Sequence, residues 1–198
     1  MLMKSQKNRL NNVESLSLDS LIERMKGKEA VKVVSCYYGI DALNCFLGAL
    51  TGRGRTTDVI LCATGVSKES WIAQMDQLID KVELGQNQNV YLYTKFSLLH
   101  SKIYFSVSKR YENKSAYGAT CLVGSANLSE NAFKCNEEIL VDVKDDETKQ
   151  AIEDYIDNLL TEGTHLYSVR NLKNKKNRAL HQHVWVASPP FFVDFRLN

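Results

Sequence analysis

The chain lacks a pair of cysteines at metal-binding spacing. Its five cysteines, Cys36, Cys45, Cys62, Cys121 and Cys135, stand apart, and without a Cys-x-x-Cys pair no zinc site is expected. Cys36, Cys62 and Cys121 lie in apolar strand-like runs, where a free thiol acts as a small hydrophobe. An odd count with no secretory signal fits a reducing cytoplasm. The first twelve residues are polar and basic with no apolar h-region, so no signal peptide is expected. No apolar run approaches the length of a membrane span, so no membrane partner is expected. No grouped Asp, Glu and His set supports a two-metal site, and no cofactor is implied. The Gly-rich Thr51-Gly-Arg-Gly-Arg55 is not followed by Gly-Lys-Ser/Thr, so it is not a Walker A loop. Acidic residues are missing from Gly163 to Val193, while Arg170, Lys173, Lys175, Lys176 and Arg178 cluster there. A solvated basic tail and a phosphate-contacting segment are equally good readings of that run.

What is present outlines an α/β unit. At 198 residues the chain has room for one large domain, or one domain and an appendage. Its 44% hydrophobic content suits a soluble protein with a real core, and its net charge of +2 is too small to argue for nucleic acid by itself. Leu18, Leu21, Ile22 and Met25 recur at helical spacing, with Asp19 or Ser20 as the cap. Val31 to Cys36, Val59 to Cys62 and Val90 to Tyr93 read as buried strands. Between them, Ile40 to Leu50 has helical character. Trp71, Ile72, Met75, Leu78, Ile79 and Val82 mark an amphipathic helix closed by Gly85. That alternation predicts parallel strands.

The pattern then changes. Ile103 to Val107 and Ala119 to Val123 read as a hairpin around the polar connection Lys109 to Ser115. A short helix starts near Leu128, with Asn127 or Ser129 as its cap. Ile139 to Val143 is a further strand. Ile152, Tyr155, Ile156, Leu159 and Leu160 define a last helix, ended by Gly163. The compact domain is expected over about 15–163. The basic tail, 164–198, docks on it or begins a further module.

Chemistry concentrates between His100 and Glu138. The chain reads His100-Ser101-Lys102, then a strand, then Gly124-Ser125-Ala126-Asn127, then Asn136-Glu137-Glu138. Residues two apart on a strand share a face, so His100 pairs with Lys102 and Ser125 with Asn127. With the hairpin turn centred on Asn113-Lys114, Lys102 faces Ser125 and His100 faces Asn127. A bulge or longer loop would slip this register. The patch suits a phosphodiester. An imidazole serves as nucleophile or general acid near neutral pH. Lys supplies a point charge to the non-bridging oxygens, Ser and Asn direct hydrogen bonds to developing charge, and a carboxylate holds the imidazole in one tautomer. Taken alone, each has a bland reading: a structural His, a Gly-Ser turn, a solvated Glu. Arg53 and Arg55 either steer a polyanion toward the patch or cap the preceding helix.

His-x-Lys followed by Gly-Ser-x-Asn and a Glu resembles the HKD motif of the phospholipase D superfamily. Val107 stands where the full motif has an Asp, five residues after the Lys. With Gly-Ser-Ala-Asn-Leu-Ser and Asn-Glu-Glu-Ile, the chain resembles the nuclease branch, including type IIS restriction endonucleases that cut DNA without metal. The resemblance implies a phospholipase D-like mixed sheet flanked by helices. Family members carry two half-sites, and only one is found here, since His181-Gln182-His183 lacks the Lys. The resemblance therefore implies a homodimer with the site on a two-fold axis. By that carry-over His100 forms a phosphohistidine, and His100 of the second subunit protonates the leaving oxygen. Lys102 and Asn127 bind phosphoryl oxygens, and Ser125 supports them. Family spacing favours Glu138 as the acid. Strand alternation leaves Glu137 open. The implied function is metal-independent DNA cleavage. A phospholipid hydrolase or phosphatidyltransferase, and an inactive nucleic-acid-binding module, are the alternatives.

Overall fold

The computed structural model describes residues 2–4, 14–63, 68–94, 99–108, 119–161 and 165–174. In chain order the elements are β1 (Leu2–Lys4), β2 (Glu14–Ser15), α1 (Leu18–Met25), β3 (Ala30–Ser35), α2 (Ile40–Ala49), β4 (Thr56–Cys62), α3 (Lys68–Lys81), β5 (Gln88–Tyr93), β6 (Lys102–Val107), β7 (Thr120–Gly124), α4 (Glu130–Lys134), β8 (Ile139–Asp142), α5 (Asp146–Thr161), β9 (Leu166–Ser168) and α6 (Val169–Asn174). The strands among the described residues form one mixed sheet in the order β2-β1-β8-β7-β6-β3-β4-β5-β9.

The expected parallel unit is present: β3, β4 and β5 run parallel. β6 returns antiparallel on β3, with Ser35 opposite Lys102, and β7 and β8 continue antiparallel. Two layers cover the sheet. On one face Val31, Val33, Val59, Leu61, Tyr104 and Leu122 pack under helices α1 to α4 and α6. On the other face Val34, Ile60, Ile103, Phe105 and Cys121 pack against Ile156 and Leu159 of α5. Burying side chains of this size stabilises the fold by about 1.5–3 kcal/mol each. The second face also holds a buried ion pair: Lys32 Nζ lies 2.8 Å from Glu153 and 2.6 Å from Asp157.

The hairpin register differs by one residue from expectation. Ile103 pairs with Val123 and Phe105 with Cys121, so Lys102 does not face Ser125. The cause is side-chain alternation. Ile103, Phe105, Cys121 and Val123 all belong to the α5 face, and directly opposed residues share a face. The expected register would set Phe105 against Leu122, which belongs to the opposite core. The connection itself lies outside the described residues, as does Gly163.

Two further differences are local. Helix α1 is capped by Ser17, not Asp19 or Ser20: the Ser17 hydroxyl accepts from Ser20 N at 3.0 Å, and the Ser20 hydroxyl accepts from Ser17 N at 2.9 Å. This reciprocal pair satisfies two N–H groups that a cap inside the first turn would leave unmet. The sheet also extends past the segment 15–163. β1 pairs with β8, and β9 pairs antiparallel with β5, placing Ser168 opposite Tyr91.

Candidate active site

The site lies at the sheet end where β3 and β7 finish and β6 begins. Lys102 opens β6 and is only 5% exposed, while His100, just before the strand, is exposed. The Lys102 ammonium donates to the His100 carbonyl at 2.9 Å and sits 3.0 Å from Nδ1 and 3.1 Å from Nε2 of the ring. The charge is therefore placed against the imidazole, as the His-x-Lys spacing predicts.

The Gly-Ser-Ala-Asn loop is fastened from three sides. At Gly124, any Cβ would overlap the Ile139 carbonyl oxygen, so only glycine lets β7 approach β8 here. Ser125 N donates to Ile139 O at 3.0 Å, and Ile139 N donates to the Ser125 hydroxyl at 3.1 Å. From below, the buried Tyr104 hydroxyl donates to Ala126 O at 3.1 Å. From β3, the Ser35 hydroxyl accepts from Leu128 N at 2.9 Å and donates to Tyr37 O at 2.6 Å. Tyr37 N in turn donates to Asn127 Oδ1 at 3.0 Å. The Asn127 oxygen is thus engaged, which leaves its NH₂ as the end that would meet an anion. The helix after the loop is capped by Ser129, whose hydroxyl accepts from Ala132 N. Glu130, at its first position, accepts from Ala42 N at the start of α2.

Glu138 is 8% exposed, and its Oε1 accepts from Asn136 Nδ2 at 3.2 Å. It lies close enough to Tyr104 to add to the upward push that burial gives the Tyr104 hydroxyl. Tyr104 sits two residues from Lys102 on the same strand face. Glu137 is exposed. Beneath the site burial raises the Cys36 thiol, opposed by the Lys102 charge. Val107 is 1% exposed and fills the α5-side core beside Ala30 and Phe105, so this position serves packing.

The structure gathers His100, Lys102, Ser125, Asn127 and Glu138 at one sheet end, but not Arg53 and Arg55. These precede β4, which runs parallel to β3, and the site lies where β3 ends. They are at the opposite end of the sheet, separated from His100 by the strand length of about 20 Å. They are not part of this site. Sequence reasoning missed Ser35, Tyr37 and Tyr104. A Ser ending an apolar strand just before Tyr-Tyr-Gly was the available signal for Ser35. Tyr104 gave none that set it apart from core aromatics. Among the described residues no cluster of three His, Cys, Asp or Glu side chains suits a metal ion, and no helix is long and apolar enough to cross a membrane.

The comparisons with known proteins agree with this architecture. A family model described as "Cardiolipin synthase, PLD-like domain" matches residues 21–160. The chain belongs to the phospholipase D-like family, and its mixed sheet flanked by helices is the fold of that family. Among solved structures it is similar to NucT from Helicobacter pylori, with 23% identity and a TM-score of 0.51, covering 72% of this chain and 86% of that one. It is also similar to Nuc, a phospholipase D family member from Salmonella typhimurium, with 12% identity and a TM-score of 0.54, covering 85% and 95%. A phosphatidylserine synthase from Haemophilus influenzae Rd KW20 is 12% identical at a TM-score of 0.49, covering 94% of this chain and 44% of that one. No curated protein sequence matches the chain.

Proposed function

We propose that the chain is a phosphodiesterase that cleaves DNA without a metal ion, through a phosphohistidine formed at the two-fold axis of a homodimer. The observation that carries this reading is the Lys102 ammonium held against both ring nitrogens of an exposed His100. Such a pair offers a nucleophile and, beside it, a charge for the phosphate it attacks. In the first step a ring nitrogen of His100 bonds to phosphorus, and the bond to one sugar oxygen breaks. That oxygen leaves with a proton from His100 of the second subunit. In the second step water bonds to phosphorus and passes a proton to that same imidazole, and the phosphorus–nitrogen bond breaks. Lys102 Nζ and Asn127 Nδ2 hold the non-bridging oxygens, the Ser125 hydroxyl supports the loop, and Glu138 is the carboxylate that orients the imidazole.

Two observations support the dimer. One half-site per chain supplies one imidazole for a reaction that needs two. Ile139 and Tyr155 are 39% and 38% exposed and adjoin the site: Ile139 is bonded to Ser125, and the Tyr155 hydroxyl lies 3.3 Å from that of Ser101. Val141, 48% exposed, follows Ile139 on the same strand face. An apolar strip beside an incomplete site is a natural place for a second copy. Mixing wild-type and His100→Ala subunits tests the reading. Activity should fall as the square of the wild-type fraction once subunits exchange. A linear fall would show that each subunit works alone.

The family model's description favours a second reading, phosphatidyl transfer on a phospholipid. The same histidine chemistry serves both. Parallel assays with DNA and with phosphatidylglycerol vesicles separate them, since turnover of lipid but not DNA selects the second.

A further inference from the structure

The two arginines that the active site leaves out have a setting of their own. Arg53 and Arg55 line a cleft of about 340 Å³ together with Thr51, Gly52, Gln86 and Asn87, a size within the range of small-ligand sites. Gly54 has φ +75°, a conformation that favours glycine, and a Cβ at Gly52 would stand 2.9 Å from Arg55 Cδ. Neither guanidinium has a hydrogen-bond or ion-pair partner among the described residues, so helix capping does not account for them. The neighbouring cations are used differently. Arg170 donates to Gln88 O at 3.1 Å and also to Gly85 O, and Lys173 donates to Val82 O at 2.5 Å. They tie α6 to the segment that forms one wall of the cleft. Gln88 is likewise committed, to Leu47 O and Gly85 N.

The C-terminal end of α2 adjoins this cleft at Leu50 and Thr51, which by itself opposes an anion. That opposition is about half a unit charge per helix, against two full positive charges on the loop. A guanidinium fork fits phosphate oxygens bidentately, and the exposed amides of Gln86 and Asn87 each offer a donor and an acceptor.

We infer that this cleft is a second binding site, for a phosphate ester of nucleotide size, with Arg53 and Arg55 on the phosphate and Gln86 and Asn87 on the sugar or base. Its ligand is a free nucleotide or the end nucleotide of a strand. The site lies at the far end of the sheet from His100 and stands independently of the reaction proposed there.

Amide chemical shifts of the full chain, followed during titration with inorganic phosphate, adenosine monophosphate and a 5′-phosphorylated dinucleotide, test the inference. Shifts at Gly52, Arg53, Gln86 and Asn87 should saturate, with the nucleotide tighter than inorganic phosphate. The double variant Arg53→Gln/Arg55→Gln should weaken binding by about tenfold or more. Arg53→Gln alone, on an exposed side chain, should weaken it severalfold. A dinucleotide tighter than the free nucleotide assigns a strand end, and the reverse assigns a free nucleotide. Affinity unchanged in both variants, shifts confined to His100 and Ser125, or no saturation by any of the three probes would overturn the inference. Hydrolysis assays report on the His100 reaction separately.

Discussion

Replacing Ser35 with alanine tests the claim that the loop after β3 holds the site together. Ser35 is fully buried, and its hydroxyl makes two bonds across the site: it accepts from Leu128 N at 2.9 Å and donates to Tyr37 O at 2.6 Å. Truncation strands the buried Leu128 N–H, which costs about 1–3 kcal/mol, and removes one further bond worth about 1 kcal/mol. The expected loss is about 2–4 kcal/mol, less than the ordinary total stability of about 5–15 kcal/mol, so the variant should fold. Urea unfolding at a fixed m-value reads that loss. Tyr37 N also holds Asn127 Oδ1 at 3.0 Å, so the amide proposed to bind phosphate should lose its orientation. Turnover measured under folding conditions should fall by about tenfold, the equivalent of 1.4 kcal/mol. A loss below about 1 kcal/mol together with unchanged turnover would refute the clamp.

Gly124→Ala should destabilise the protein by about 1–3 kcal/mol or more, because its Cβ would overlap Ile139 O; thermal melting reads this, and a neutral effect would remove the close-approach argument. Lys32→Met takes the ion-pair partner at 2.8 Å from the buried Glu153 and should cost about 3 kcal/mol, with much of the loss recovered by adding Glu153→Leu. Burial pushes Tyr38 and Cys121 up to about 12. Their protons are held in the folded chain and shed near 10 and 9 in the unfolded one, so stability should be full below about pH 9 and decline as pH rises toward 12; urea midpoints measure the decline, and Tyr38→Phe should flatten it. DNA cleavage should persist in excess chelator, and a loss restored by magnesium would overturn the proposed reaction.

The parts of the molecule legible in the sequence are those whose signal is local. Three apolar runs of strand length and two helical stripes define β3 to β5 and α3 and α5, because each element needs only its own periodicity. The candidate site was legible because His100 and Lys102 are two residues apart and Ser125 and Asn127 share one loop. Register was not, since one residue in an unseen turn reverses every opposing pair. For Arg53 and Arg55 composition alone leaves steering toward the patch and helix capping open, and topology excludes the first. Parallel strands joined by helices alternate their loops between the two ends of a sheet, so a loop entering β4 cannot meet residues at the exit of β3. Ser35 and Tyr104 act through tertiary partners about 90 and 20 residues away, beyond the reach of any periodicity. β1, β9 and α6 are too short to display one.

Strand β9 has a consequence for handling the protein. It lies on the outer side of β5 and occupies the backbone groups of Tyr91 to Tyr93, beside the apolar ends of β4 and β5, Val59 to Cys62 and Val90 to Tyr93. Cutting the chain after α5, where the family match stops, would keep every residue proposed for catalysis. It would also leave that row of amides and carbonyls open as a template for another molecule's strand. Such a shortened protein is expected to self-associate through β5, so β9 and α6, both outside the matched region, protect this edge of the sheet.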